Sequence, residues 1–242
     1  MLSLPASARV ACWINAWLAA RQSTDSVISG LVGQHGAVEF LPPASGPPMS
    51  AALFLGELRR RGVRRASSAF PVPGDPLGLG GPADFNVDVI DAAEGVVLHG
   101  ADIGLVPLRV GTLTRWEAEP AHPPPYLPAV AESDRALRAA LLEAADRLAD
   151  LDVASWRPEV ADALITLRRA ADLDDLSPFA SAQSARLAHE ALRASSIVAM
   201  ARADDGGAVS ASQVAQRAAA LQPLDRAARA GLVAATSSLD GR

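Results

Sequence analysis

Lysine is missing from this chain, and all 22 of its basic residues are arginine. That excludes a Schiff-base lysine and the lysine of a phosphate-binding P-loop. Cysteine occurs once, at Cys12, so no intrachain disulfide can form, which fits a reducing compartment. The apolar, helix-like surroundings of Cys12 predict a buried, inert thiol. Aromatic residues are 4% of the chain while half of it is hydrophobic. The core must therefore be built largely from Ala, Leu and Val, and small side chains favour close helix-on-helix packing. Asparagine occurs only at 15 and 86. Arg and Ala in place of Lys and Asn is what GC-rich codons produce, so a high-GC bacterium is the expected source. No segment reaches about 18 unbroken apolar residues, so no membrane span is expected. The apolar run Val10–Ala20 is interrupted by Asn15 and preceded only by Arg9, unlike a secretory signal. A cytoplasmic protein is expected.

What is present is acidic on balance. The net charge is −5, and the parts before and after residue 130 carry −2 and −3. That even spread points away from a nucleic-acid surface. A length of 242 residues allows one large domain or two small ones.

The stretch Pro73–Asn86, PGDPLGLGGPADFN, stands out. A short, mostly apolar strand over 66–72 precedes it and a helix over 84–94 follows. Pro82 suits a first helical position, and Asp84 suits the first turn. Its glycines permit positive φ and close backbone approach, and free N–H groups at a helix start can hold an anion. Gly78, Gly80, Gly81 and Asn86 are therefore candidate ligand-binding residues. Arg59 and Arg65, the ends of the run RRRGVRR, are candidate anion donors. Against a nucleotide site stand the missing lysine and the missing G-x-G-x-x-G spacing, since Gly78-Leu79-Gly80-Gly81-Pro82-Ala83 ends in alanine. Asp84 would also repel a phosphate. The plainer reading is a tight connection between strand and helix, with the arginines solvated at a helix C-terminus.

Local patterns predict the remaining elements. Val10, Trp13, Ile14, Trp17 and Leu18 recur at helical spacing, so 6–21 is read as a helix with those residues inward. Ser23 or Thr24 caps a short helix to Val32, 38–41 is a strand, and a helix over 50–61 stops at Gly62. Asp84, Asp88 and Asp91 share a helix face. They are either its wet side or, with His99, a carboxylate set able to gather a cation; no metal is expected. Strands are read over 96–98, 103–110 and 112–118, the last two joined by a hairpin at Gly111. Pro120–Pro128 has five prolines in nine residues and forms a stiff seam.

Beyond the seam the pattern is helical. One helix runs from 133 or 134 to about 151, with Leu137, Leu141, Ala144, Leu148 and Leu151 as its packing seam. Ser155 caps a second helix, braced by Trp156 and Arg157, and 172–177 is an acidic loop without calcium-loop spacing. A long helix covers 181–203 and a turn follows at 204–207. Two helices, 210–221 and 224–237, are broken at Pro223. Ser212–Arg217 is similar to the first helix of a helix-turn-helix, though the glycine turn is missing.

There is no G-x-S-x-G elbow and no H-E-x-x-H, and the histidines at 35, 99, 122 and 189 lack ligand spacing. Catalytic residues are not identified, no cofactor is expected, and whether the chain is an enzyme stays open. The blocks Trp13-Ile-Asn-Ala-Trp17, Gly74-Asp-Pro-Leu-Gly-Leu-Gly-Gly-Pro82 and Trp156-Arg-Pro-Glu-Val160 resemble those of an uncharacterised protein family of high-GC Gram-positive bacteria. The resemblance covers most of the chain. It implies a bacterial, cytoplasmic protein and no particular activity.

The expected fold is α+β: a mixed half, 1–119, with a small, largely antiparallel sheet and helices; a Pro-rich linker, 120–128; and an all-α half, 129–242. The first functional expectation is a non-enzymatic protein-interaction or scaffold module, with a protein partner or homo-oligomer. The alternative is a small-molecule or anion-binding protein or enzyme with its site at 73–86. Helix-turn-helix DNA binding comes third.

Overall fold

The computed structural model describes residues 3–33, 37–43, 46–150, 178–203 and 211–239. The elements run α1 (Ala6–Leu18), α2 (Thr24–Val32), β1 (Ala37–Leu41), α3 (Ala51–Arg60), β2 (Arg65–Ala69), α4 (Ala83–Ala92), β3 (Gly95–His99), β4 (Ile103–Val110), β5 (Leu113–Pro120), α5 (Val130–Asp150), α6 (Ala182–Ala203) and α7 (Ala211–Ser237). Helix starts follow local chemistry. The Ser23 hydroxyl accepts from the Ser26 N–H, and the Ser50 hydroxyl accepts from the Leu53 N–H, each satisfying one of the orphan donors of a first turn. Gly111, at φ +62, makes the tight reversal between β4 and β5.

The five strands form one sheet in the order β1-β5-β4-β3-β2. Three pairings are antiparallel, but β1 runs parallel to β5, with Ala37 opposite Leu113. The sheet is thus mixed: largely antiparallel, as expected, with one parallel pairing at the β1 edge. Hairpins leave a turn signal in the sequence. The pairing of β1 with a strand beyond three others leaves none.

Alternation sends Phe40, Ala66, Val96, Leu98, Leu105 and Trp116 to one face, against α1, α2 and α3. Phe40 and Phe54 stack there with ring centroids 3.8 Å apart. The other face carries Ala69 and Val97 beneath Leu79, Phe85 and Val89 of the α4 region. α5, α6 and α7 share a third core that also takes in Ala8 and Cys12 of α1. α1 is thus wedged between sheet and helical layer. Of residues 6–17 only Arg9 is not buried, as expected of a helix apolar all round. The two tryptophans and Cys12 are core, as the helical spacing suggests.

Two helical expectations are corrected. Pro223 does not divide the last segment, because α7 is one helix with Pro223 inside it. A proline there forfeits one backbone hydrogen bond, and burial of Leu221, Leu224, Ala228 and Leu232 on either side outweighs that loss. The helix-turn-helix reading loses the break it required. On α5, Leu137 and Ala144 are buried as expected of the packing seam, but Leu141 is exposed and Ala140 is buried in its place. The predicted helix at 155, Trp156, Arg157, the 172–177 loop, the 204–207 turn and His35 lie outside the described residues.

Candidate functional site

β2 is one of the two edge strands, and its outer edge is where sheet and helical layer meet. Strand N–H and C=O groups alternate sideways, so Ala66 and Ser68 present theirs away from β3. Asn15, 1% exposed on α1, behaves as a substitute strand: its Nδ2 donates to the Ala66 carbonyl at 2.8 Å, and its Oδ1 accepts from the Ala66 N–H at 2.8 Å. Nδ2 also donates to the Thr236 carbonyl at 3.1 Å, one of the last-turn carbonyls of α7 that lack a helical partner. The Ser68 N–H donates to the Ser237 hydroxyl at 3.2 Å, and the Ser68 and Thr236 hydroxyls share a hydrogen bond at 2.8 Å. In sequence Asn15 reads only as an interruption of an apolar run. A lone amide in an all-apolar helix was the signal that a buried backbone edge needed a partner.

On the opposite face of β2, Arg65 and Ser67 project beside His99 of β3. The Ser67 hydroxyl and His99 Nε2 share a hydrogen bond at 2.8 Å, its donor set by the imidazole tautomer. Burial first, and the Arg65 charge second, push the His99 pKa down from 6.5 to about 4. The ring is therefore neutral at neutral pH. Ser67 is 0% exposed, and among the described residues no carboxylate hydrogen-bonds His99. The pair is built like a buried polar tie, not like an accessible nucleophile with an oriented base.

Arg65 also lines a cleft of about 370 Å³ at the junction. Its walls are Arg65, the 127–131 stretch, Ser181, Ser184, Ser237 and Ser238, with no Asp or Glu among the described residues that line it. The first residues of α5 and α6 lie at its rim, where helix N–H groups carry partial positive charge. Arg65 Nε is shut off from solvent and has no hydrogen-bond partner among the described residues.

The sequence-predicted site residues assemble only in part: Gly78, Gly80, Gly81 and Asn86 share the turn, and Arg59 and Arg65 lie elsewhere. Gly80 is exposed but has one side against the 122–123 backbone, where an added Cβ would lie 2.3 Å from the Pro123 carbonyl oxygen. The Gly81 N–H donates to Asn86 Oδ1 at 3.1 Å, and the Gly81 carbonyl accepts from the His122 N–H at 2.8 Å. Gly78, at φ +88, backs onto Ala69. The start of the stretch is tied to α7: Arg229 donates to the Phe70 carbonyl at 2.8 Å and to Asp75 at 3.0 Å. The Gly-rich turn is thus a joint tied to its neighbours, with Gly78 buried and Gly80 exposed. Arg59 lies on the other face of the sheet, its guanidinium 4.1 Å from the Trp17 ring centroid, a cation–π contact. Asp84, Asp88 and Asp91 are exposed on α4. Burial, and then Asp88, raises the Glu119 pKa above its ordinary value, so that acidic cluster is strained by like charge. No cluster of metal-ligating side chains occurs among the described residues.

The geometry defines an α+β protein with a mixed sheet, a helical layer locked to its edge strand, and a polar cleft between them. Among the described residues no helix is long and apolar enough to cross a membrane. The chain matches the Rv1486c-like protein, N-terminal domain, over residues 7–131 and the Rv1486c-like protein, C-terminal domain, over residues 131–233. It belongs to the Rv1486c-like protein family, an uncharacterised family named after a mycobacterial open reading frame. No curated protein and no solved structure matches it.

Proposed function

We propose that the chain is a binding protein for a small organic anion, held in the cleft by Arg65. The observation that carries this reading is Arg65 in the wall of a cleft of about 370 Å³ with no Asp or Glu among the described residues that line it. That size suits a small-molecule ligand. An arginine in such a wall offers a ligand carboxylate or phosphate a charge-assisted hydrogen bond. The serine hydroxyls supply further donors. The proposal moves the ligand from Gly78–Asn86, where the Gly81 N–H and carbonyl are already paired, to the junction, and keeps only Arg65 of the six candidate residues. It contains no catalytic step. A cytoplasmic setting is part of the proposal and rests on the lone, buried Cys12.

The test is a thermal-shift panel with inorganic phosphate, citrate and AMP at millimolar concentration, followed by calorimetry on any that stabilise. We expect at least one saturable rise in melting temperature. Arg65→Gln should weaken that binding by about tenfold or more, the value of a hydrogen bond to a charged group. If no anion stabilises the protein, or Arg65→Gln leaves the response unchanged, the cleft is not the site.

A protein-interaction or scaffold role, including self-association, is the second reading. Its support is Leu142, 71% exposed on α5 next to exposed Leu141. The other large exposed apolar residues, among them Leu53, Val87, Leu108 and Tyr126, are spread over different segments, and single ones are ordinary. Sedimentation showing only monomer at micromolar concentration would remove the homo-oligomer form of this reading.

A further inference from the structure

Charge count and wall chemistry together narrow the class of anion that suits the Arg65 cleft. Arg65 is the one charged side chain among the described residues that line it. One guanidinium answers one negative charge, and a carboxylate matches it in a bidentate pair. A phosphate monoester or a tricarboxylate brings further charge that no lining cation answers, and taking that charge out of water is costly. The Ser237 hydroxyl, which accepts from the Ser68 N–H at 3.2 Å, still has its proton to donate. It can serve an oxyanion without adding charge.

Much of the remaining wall is apolar. Leu127 and Val130 are half-buried and pack on the core that α5, α6 and α7 share. Leu239 lies just past the end of α7. Arg65 opens β2, and Ser237 is held to that strand through Ser68. Arg65 and Ser237 thus mark a polar side next to β2, while Leu127 and Val130 carry the helical core out to the cleft surface. A ligand that is anionic at one end and hydrocarbon at the other satisfies both sides, as is usual of pockets with a few polar groups set in apolar walls.

Volume then sets the length. The cleft offers about 370 Å³, room for about a dozen water-sized groups. We propose, on the reading of this cleft as an anion site, that its ligand is an aliphatic monocarboxylate of the size of octanoate. The carboxylate pairs with Arg65 and the chain lies over Leu127 and Val130.

The test is calorimetry on the full chain with butyrate, hexanoate and octanoate, and with octanol as the uncharged control. One saturable site is expected, tightening about fourfold for each added methylene, with octanoate bound more tightly than phosphate or citrate. Arg65→Gln should weaken the whole series alike, and Val130→Ser should lessen the gain with chain length. If anions bind but affinity does not rise with chain length, the proposal falls and the anion reading stands. If no anion binds, both fall. Octanol bound as tightly as octanoate, or octanoate affinity unchanged in Arg65→Gln, would also overturn the proposal. If Val130→Ser does not fold, the wild-type series and the octanol control decide alone.

Discussion

Replacing Asn15 by Leu tests the junction directly. Leucine is close to asparagine in size and shape, so it leaves little cavity, but it can make none of the three hydrogen bonds. The Ala66 N–H, the Ala66 carbonyl and the Thr236 carbonyl would each lose their partner, and Asn15 itself is 1% exposed, with little room for water. A buried polar group left unpaired costs about 1–3 kcal/mol. With partial relaxation, Asn15→Leu should lower unfolding stability by about 3–6 kcal/mol, a large share of the about 5–15 kcal/mol typical of a native protein. Ser68→Ala provides the contrast. The Thr236 hydroxyl also donates to the Leu232 carbonyl at 2.8 Å, so that variant should lose only about 1 kcal/mol. Asn15→Asp should be worse than Leu at neutral pH, because it sets a carboxylate against two carbonyl oxygens. Its folded-state pKa must then lie above the unfolded value. The excess penalty should be absent below about pH 4 and grow as pH rises through the raised pKa. Urea unfolding followed by circular dichroism, with hydrogen exchange of the Ala66 amide, measures all three. An Asn15→Leu protein within about 1 kcal/mol of wild type, at unchanged denaturant slope, would show that Asn15 does not hold sheet and helices together.

Further outcomes follow from other contacts. Gly80→Ala drives a Cβ to 2.3 Å from the Pro123 oxygen and 2.5 Å from the His122 oxygen; it should cost about 2–3 kcal/mol by thermal melts, whereas a neutral effect would mean the turn does not lie against that segment. Pro223→Ala restores a missing N–H inside a continuous helix. It should stabilise by about 1–3 kcal/mol, and a loss of stability would favour two helices broken there. His99 stays neutral in the folded chain until about pH 4, while its ordinary pKa is 6.5. Its contribution is therefore fully present above pH 6.5 and declines as pH falls toward 4. His99→Gln should flatten the fall of the urea midpoint over that window, and an NMR titration showing His99 protonated near pH 6.5 would contradict the assignment.

Much of the local architecture was legible in the chain itself. Ser23 and Ser50 start helices where side-chain capping predicts, Gly111 turns a hairpin, and Trp13, Ile14 and Trp17 face inward at helical spacing. These features depend on neighbours a few residues away, through hydrogen bonds and side-chain periods that a sequence displays. Other features depended on partners distant in the chain, and only the tertiary structure decided them. The parallel pairing of β1 with β5, the passage of α7 through Pro223, and the close approach of Gly80 to the Pro123 backbone belong to this group. So does the fate of two arginines six residues apart: Arg59 stacks on Trp17 on one face of the sheet, while Arg65 reaches the cleft from the other. A buried amide such as Asn15 marks the boundary between the two kinds of information. Its type announces that a polar partner is required, and only the packing of three remote segments says which backbone groups it meets.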